Sequence, residues 1–538
     1  MISSHHAGTK EGMRSSFTGS GRRTSGIRAG APGNVAGFLR QRAEEHPDRG
    51  AFVEGCSGRT LTWADLQRHV DGWSVAAEAL GRDRRIGLLV ADPLEMIAAY
   101  LAAIATGITV APLNPSGTVP ERVRQAALLG LAAVVTDDVD APVGALPRWL
   151  LGSHGTLIAS PTSSGRPTAV AAPAPADGAA VVLASSGTTG EAKIIPLDEN
   201  QLLHTAFALA EHHGLGPEDR AYSPLPLFHI NALVVGVLST VVIGASLVVD
   251  RRFAAATFWE TVERHHVTWL NLVPAIIATL AECERPAAAT AARVGFARSA
   301  SAPLPAVIRE RFEEVTGVGV LETYGMTEAA SQIAANPRDP SLRRPGSVGL
   351  PVGLDIRVVD RGGRVVEPGT VGEVQIRGES VVDRYWAPWD PTAASSSRPA
   401  SSSGDGWLAT GDLGSLDDDG FVFLAGRLDD VINRGGEKVF PRDVEEVLLA
   451  DRDVMAAAVV GRPHPRFGQE PVAFVVARPG VDPDALTARL SQRCERSLSR
   501  FRRPAAITVA DALPAGPTGK IRHAELRRRL SSAAITAN

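Results

Sequence analysis

The sequence predicts an α/β protein. A large N-terminal domain of doubly wound α/β layers, with a β-rich subdomain, is followed by a small α+β C-terminal domain. Three observations predict this. Apolar runs of strand length alternate with helical stretches through the first several hundred residues, the pattern of sheets covered on both faces. From Gly346 to Arg377 the pattern changes to short strands separated by Gly and Pro. Beyond Gly426-Arg427-Leu428-Asp429 lies a compact segment of small-domain size.

Met1 to Gly33 is rich in Gly, Ser, Thr and Arg and lacks the apolar run of a signal peptide, so a disordered tail is expected. Val35 to Glu45 reads as an amphipathic helix ending before His46-Pro47. Arg85 to Val90 is a buried strand, Pro93 to Thr106 an Ala-rich helix, and Thr109 to Leu113 another strand; Leu131 to Thr136 repeats the theme. Ala141 to Asp177 is Pro/Ala/Ser-rich and reads as a surface connection. The α/β pattern resumes at Gly178. Leu233 to Val249 is interrupted by Ser239, Gly244 and Ser246, so a buried helix-turn-strand fits better than a membrane span. Phe253 to His265 reads as a helix, Val267 to Leu272 as a strand and Pro274 to Cys283 as a helix. The expected boundaries are a tail over 1–33, an N-terminal domain over 34–426 and a C-terminal domain over 427–538. Within the N-terminal domain, 347–425 forms the β-rich subdomain and the low-complexity stretch 391–404 a flexible loop.

With 538 residues, 44% of them hydrophobic, the chain can bury more than one core. Its net charge of -4 lacks the basic excess of a nucleic-acid-binding protein. Cys56, Cys283 and Cys494 are far apart and fit no metal spacing. They read as small core thiols in a reducing, cytoplasmic compartment.

Several short segments carry chemistry. A buried strand, Val181 to Ala184, runs into Ser185-Ser186-Gly187-Thr188-Thr189-Gly190-Glu191-Ala192-Lys193. The glycines allow close backbone approach to an anion, N–H groups and hydroxyls can cradle phosphate oxygens, and Lys193 adds a charge. An ordinary Ser/Gly turn is the alternative, and the Walker spacing is absent. In Thr323-Tyr324-Gly325-Met326-Thr327-Glu328, Tyr324 can lie against a purine, Thr327 can donate to phosphate and Glu328 can ligate Mg²⁺. A loop with one solvated Glu is an equal reading of that hexapeptide alone. Asp412, after Gly411, is suited to accept ribose hydroxyls. Arg427 is a fixed cation at the boundary, and Gly435-Gly436 permits close passage of a ligand. Lys520, in Pro517-Thr518-Gly519-Lys520-Ile521, follows a tight turn that can present it at a loop tip. Taken singly, each of these last three segments reads equally well or better as a solvated turn or linker.

In this order, over about Val35 to Leu530, these segments resemble the adenylate-forming (AMP-binding) superfamily of acyl-CoA synthetases, peptide-synthetase adenylation domains and beetle luciferases. The resemblance implies a C-terminal domain that rotates between two half-reactions. ATP and a carboxylic acid first give acyl-AMP and pyrophosphate. The acyl group then passes to a thiol, with coenzyme A the expected acceptor. It implies that Ser185 to Lys193 holds the β- and γ-phosphates and that Ala302, in Ala300-Ser301-Ala302-Pro303-Leu304, borders adenine and acyl pocket. Tyr324 would stack on adenine, Thr327 bind the α-phosphate, Glu328 hold Mg²⁺, and Asp412 and Arg427 hold the ribose. Asp429 matches the hinge. Lys520 would bridge carboxylate and α-phosphate, Gly435-Gly436 would line the thiol path, and His229, in Pro226-Leu227-Phe228-His229-Ile230-Asn231, would line and gate the acyl pocket.

The sequence departs from the common family pattern at Ala192-Lys193-Ile194, Asp198-Glu199 and Arg384-Tyr385. Arg298-Ser299-Ala300-Ser301 and Met326 to Gln332 resemble the oxalate-activating group, which tends to carry His where Ser331 stands. A small dianion needs an additional cation, and none is obvious in the sequence. A polar pocket near His229, Asn231, Ser299 and Ser301 hints at a short or substituted acid. Two other readings compete: an adenylating enzyme with a carrier-protein thiol, amine or nitrite as acceptor, and a non-catalytic nucleotide-binding scaffold. Any carrier would be a separate protein.

Overall fold

Strand Arg85–Leu89 is buried at every residue because it lies between two parallel partners, Thr109–Pro112 and Ala133–Thr136. The computed structural model describes residues 32–82, 84–144, 146–159, 178–186, 192–389, 397–401, 405–516 and 520–536. Among them these strands belong to a nine-stranded sheet. Its order is Ser397–Pro399, Arg384–Trp386, Ala192–Asp198, Ala179–Ser186, Thr109–Pro112, Arg85–Leu89, Ala133–Thr136, Arg148–Leu151, Leu157–Ala159. A second nine-stranded sheet runs Leu350–Pro351, Ala334–Ala335, Val320–Tyr324, Phe296–Ser299, Trp269–Leu272, Arg220–Ser223, Ser246–Val249, Gly50–Glu54, Thr60–Thr62. From Gly50–Glu54 to Val320–Tyr324 its strands are parallel.

Helices Trp63–Leu80, Pro93–Ala105 and Glu199–His212, and the helical run Asn231–Ile243, share one core with both sheets. Ile86 and Val181 enter it from the first sheet, Phe52 and Leu247 from the second. Pro93–Ala105 is apolar nearly all round, as a helix buried on every side must be. Its start is set by Pro93 and by the Asp92 side chain, which accepts from the Leu94 and Glu95 N–H groups.

A third sheet, antiparallel, is formed by Asp355–Val359, Gly372–Arg377, Leu408–Leu416 and Val422–Arg427. Tyr324 packs into its core, so the end of a parallel strand meets the β-rich unit there. After Arg427 the chain builds a further sheet from Ile432–Arg434, Glu437–Val439, Val454–His464, Gly468–Ala477 and Ile507–Val509. Helices Pro441–Leu449 and Pro483–Ser497 close a separate core with it around Val444, Leu448, Val459, Val475 and Leu490.

Some expectations are corrected. Within the stretch read as a surface connection, Arg148–Leu151 and Leu157–Ala159 extend the first sheet at its edge. Both are short apolar runs, Trp149-Leu150-Leu151 and Leu157-Ile158-Ala159, set in a Pro/Ala/Ser-rich stretch whose overall composition hid them. Residues 160–177 lie outside the described residues, as do 1–31 of the expected tail. Within the stretch expected as a flexible loop, Ser397–Pro399 pairs with Arg384–Trp386 as a strand; 391–396 and 402–404 lie outside the described residues. Of the three thiols read as core residues, Cys494 is buried, Cys283 partly so, and Cys56 exposed. Among the described residues no helix is long and apolar enough to cross a membrane.

The segment after Arg427 is tied to the C-terminal helix His523–Thr536. Asp430 accepts from Arg527 at 2.7 Å and pairs with the His523 ring at 3.2 Å; the other ring nitrogen of His523 lies 3.5 Å from Glu445. Burial alone would depress His523, but Asp430 and Glu445 outweigh it and hold the ring up at about 9. Burial would likewise raise Asp430, but His523 and Arg527 hold it down at about 2. A raised histidine stabilises fully below its unfolded value and loses that contribution as pH rises through the folded one. The latch is therefore expected to weaken from about pH 6.5 to about pH 9. Thermal unfolding followed across this window should show the midpoint falling, and His523→Gln should flatten that dependence.

Candidate active site

The candidate site is built around the loop that follows strand Val320–Tyr324, at the carboxyl end of a parallel strand, where α/β sheets place ligands. Tyr324 ends strand Val320–Tyr324, and the chain then folds back sharply. The Ser331 N–H donates to the Met326 carbonyl at 3.0 Å. A Cβ added at Gly325 would stand 1.5 Å from the Ser331 carbonyl oxygen, so only glycine fits. Ser301, Ala330 and Ser331 have φ of 73°, 46° and 95°, a left-handed backbone that costs energy outside glycine and collects at functional sites.

On one side of this loop, the predicted adenine and ribose residues come together. The Tyr324 hydroxyl donates to Asp412 Oδ2 at 2.5 Å. Arg427 Nη1 donates to Asp412 Oδ1 at 2.8 Å and to the Thr410 carbonyl at 3.2 Å. Asp412 and Arg427 are also paired across adjacent antiparallel strands, which sets their spacing. Burial, and then the Asp412 charge, push the Tyr324 phenol well above its usual range, so it stays a donor.

On the other side lies Glu328, 6% exposed. Its Oε1 accepts from the Tyr385 hydroxyl at 3.3 Å. Lys193 and Arg398 each approach the Tyr385 ring, at 5.0 Å from its centroid. Among the described residues no cationic side chain pairs with Glu328. A buried carboxylate without a protein counter-ion fits Mg²⁺, a hard cation that takes one or two carboxylates beside substrate phosphates. Ser185 and Ser186 end strand Ala179–Ser186, in register with Lys193 and Ala192. Gly187, Thr188, Thr189 and Gly190 lie outside the described residues.

The residues expected at the acyl pocket are polar and range from buried Asn231 to exposed Ser301. His229 leads into the helical run Asn231–Leu238, whose wide turn brings the Ser239 N–H to the Val234 carbonyl; such turns recur at functional sites. Burial lowers His229 to about 4, so its ring is neutral near pH 7, and its buried Nε2 has no hydrogen-bond partner. Arg298, 1% exposed, donates to Asn231 Oδ1 at 3.2 Å, Asn271 Oδ1 at 3.1 Å and Gln332 Oε1 at 2.5 Å. All three partners are neutral amides. Burial pulls Arg298 down to about 9, still a cation at neutral pH. Ala302 follows Ser301, half-buried at the rim of this cluster. Ser301 Oγ lies 3.4 Å from Asn231 Nδ2.

Where the sequence offered no obvious additional cation for a dianionic acid, the structure places Arg298 among the amides of Asn231, Asn271 and Gln332. Sequence reading also missed Asn271, Gln332 and Tyr385. A signal existed for the first: a polar residue interrupts the buried strand Trp269–Leu272, as Arg298 interrupts Phe296–Ser299. Lys520, Gly435 and Gly436 are not brought to the cluster. Gly435 and Gly436 are exposed at the turn of a hairpin, and a Cβ at Gly436 would meet nothing within 4 Å. Lys520 is exposed at a second hairpin, where its carbonyl accepts from Gly516 at 2.8 Å.

Tyr324 with the Asp412–Arg427 pair, and Glu328 with no cationic partner among the described residues, suit a nucleotide and a metal ion. The chain belongs to the AMP-binding enzyme family, whose profile matches residues 39–386; that of the AMP-binding enzyme C-terminal domain matches 443–520. It is 36% identical to a sulfoacetate–CoA ligase of Cupriavidus necator, across 91% of this chain and 97% of the relative. It is 32% identical to an oxalate–CoA ligase of Arabidopsis thaliana, across 90% of this chain and 96% of the relative. The structure superposes with a TM-score of 0.76 on o-succinylbenzoate coenzyme A synthetase from Bacillus subtilis in complex with ATP and magnesium ion. The two are 28% identical, with 92% and 99% of the chains covered. The chain is an AMP-forming acid–thiol ligase that uses ATP and Mg²⁺ to activate a carboxylic acid and coenzyme A to accept the acyl group.

Proposed function

We propose that the two half-reactions are divided between the residues as follows. Tyr324 lies along the adenine, Ala302 borders it, and Asp412 with Arg427 holds the ribose. Ser185 to Gly190 and Lys193 hold the β- and γ-phosphates, Thr327 donates to the α-phosphate, and Glu328 would hold Mg²⁺, which screens the phosphate charge when bound. The carboxylate of a small acid attacks the α-phosphorus and pyrophosphate leaves. Two anions must approach, so the chain's task is positioning and cationic screening, and Lys520 supplies the cation between them. The unit 427–538 then turns about Asp429 against the unit 34–426, removing Lys520 and bringing Gly435-Gly436 toward the acyl-AMP. The neutral ring of His229 lines the acyl pocket and yields as the thiol enters.

The observation that carries this reading is the convergence of Tyr324, Asp412 and Arg427 on one flank of Thr327 and of Glu328, Tyr385 and Lys193 on the other. The sulfoacetate and oxalate named for the relatives support a short acid. A cytoplasmic enzyme is proposed with it. AMP formation from ATP, Mg²⁺ and a panel of short acids tests the proposal. The expected result is AMP and a thioester with coenzyme A. Equal turnover with a carrier-protein thiol, an amine or nitrite in place of coenzyme A would overturn the acceptor assignment.

A further inference from the structure

Arg298 is a charge taken out of water with no anion to meet it. Leaving a buried charge unpaired is costly, and proteins ordinarily pair it or use it. Its neighbours are the amides of Asn231, Asn271 and Gln332. The carboxylate opposite Ser299 in strand register, Glu322, is engaged by Arg309 at 3.0 Å. Among the described residues no carboxylate pairs with Arg298.

The amides are oriented by this charge. Asn231 Oδ1 accepts from both Arg298 and Asn271 Nδ2. Its own Nδ2 must then face the other way, toward Ser301 Oγ at 3.4 Å. Ser301 is exposed, so Asn231 is the link between the buried cation and the rim of the pocket. The buried Nε2 of His229, two residues before Asn231, has no hydrogen-bond partner. The cluster therefore offers an outward amide N–H and an unpartnered ring nitrogen, backed by a positive charge that no carboxylate among the described residues meets. That is a receptor for an anion.

We propose that the acid this enzyme activates carries a second, non-reacting anionic group, a carboxylate or sulfonate, and that Arg298 is the positioning residue whose charge selects it. The inference rests on the acid-activating reading above. The second anion accepts from Asn231 Nδ2, with Arg298 behind it. The reacting carboxylate is thereby left toward Thr327 and the α-phosphate, so one end of a short dianion is held while the other reacts.

Pyrophosphate release is measured with acids paired against isosteres whose second group is neutral: oxalate with oxamate, malonate with malonamate, sulfoacetate with methylsulfonylacetate. The wild type should favour the dianion of at least one pair by about 10- to 100-fold in kcat/KM, the range for a hydrogen-bonded charge. The pair that responds distinguishes carboxylate from sulfonate. In Arg298→Met the ratio should fall toward unity through a raised KM for the dianion, and Arg298→Lys should restore part of it. A structural strut would instead lower activity on both members of a pair alike. Thermal unfolding of each variant separates folding loss from lost discrimination. If the wild type turns over each dianion no better than its neutral-ended isostere, the inference is overturned while acid activation stands. If Arg298→Met folds and keeps the preference, Arg298 is overturned as its source. If no acid of any kind supports pyrophosphate release, the underlying reading fails and this inference with it.

Discussion

Replacing Lys520 by alanine is expected to slow acyl-AMP formation by about 100- to 1,000-fold, the usual cost of removing one donor aimed at developing charge. Thioester formation from preformed acyl-AMP should be retained. The lysine is exposed at a hairpin closed by the Gly516–Lys520 hydrogen bond and the Ala515–Ile521 bridge, so its loss should barely alter stability. Its effect is expected to be electrostatic and confined to the step in which two anions meet. The latch of Asp430, His523 and Arg527 holds the helix that follows Lys520 to the segment that follows Arg427. A rotation of that unit therefore carries the lysine with it. Measuring acid-dependent pyrophosphate exchange and thioester formation separately checks this. Equal loss of both would contradict a lysine that serves only the first step.

Gly325→Ala is expected to lower kcat/KM by at least about 100-fold, the cost of misplacing reacting groups by about 1 Å. The added Cβ would stand 1.5 Å from the Ser331 carbonyl oxygen and 2.6 Å from its carbon, and both are backbone atoms. The loop from Met326 to Gln332 must move, taking with it Thr327, Glu328 and the Gln332 contact to Arg298. Gly216→Ala is the control, because a Cβ there meets nothing within 4 Å and its φ is not positive. Steady-state kinetics with thermal unfolding on both variants checks the prediction. Wild-type activity in Gly325→Ala would show that the loop tolerates displacement.

The parallel sheets were legible because strands buried on both faces must be apolar throughout. Ala133-Val134-Val135 and Leu247-Val248-Val249 stand out in the sequence for that reason. Tyr324, Asp412 and Arg427 were legible as motifs, but not as one hydrogen-bonded trio. The Tyr324–Asp412 bond joins positions 88 residues apart, and pattern within a window says nothing about such pairs. The Tyr385–Glu328 contact and the Asp430–His523 pair were hidden in the same way. Arg298 is the instructive case. Its presence inside Phe296–Ser299 broke the apolar rule of a buried strand, yet one arginine in a sequence does not reveal whether a carboxylate awaits it. Only the assembled site shows that its partners are amides.

The account rests on activation of an acid as its acyl-AMP before any thiol takes part. Exchange of labelled pyrophosphate into ATP, measured with acid and Mg²⁺ in the absence of coenzyme A, tests this most directly. Exchange that depends on the acid and needs no coenzyme A is the predicted result. ATP cleavage to ADP and phosphate, or exchange that appears only with coenzyme A, would contradict it.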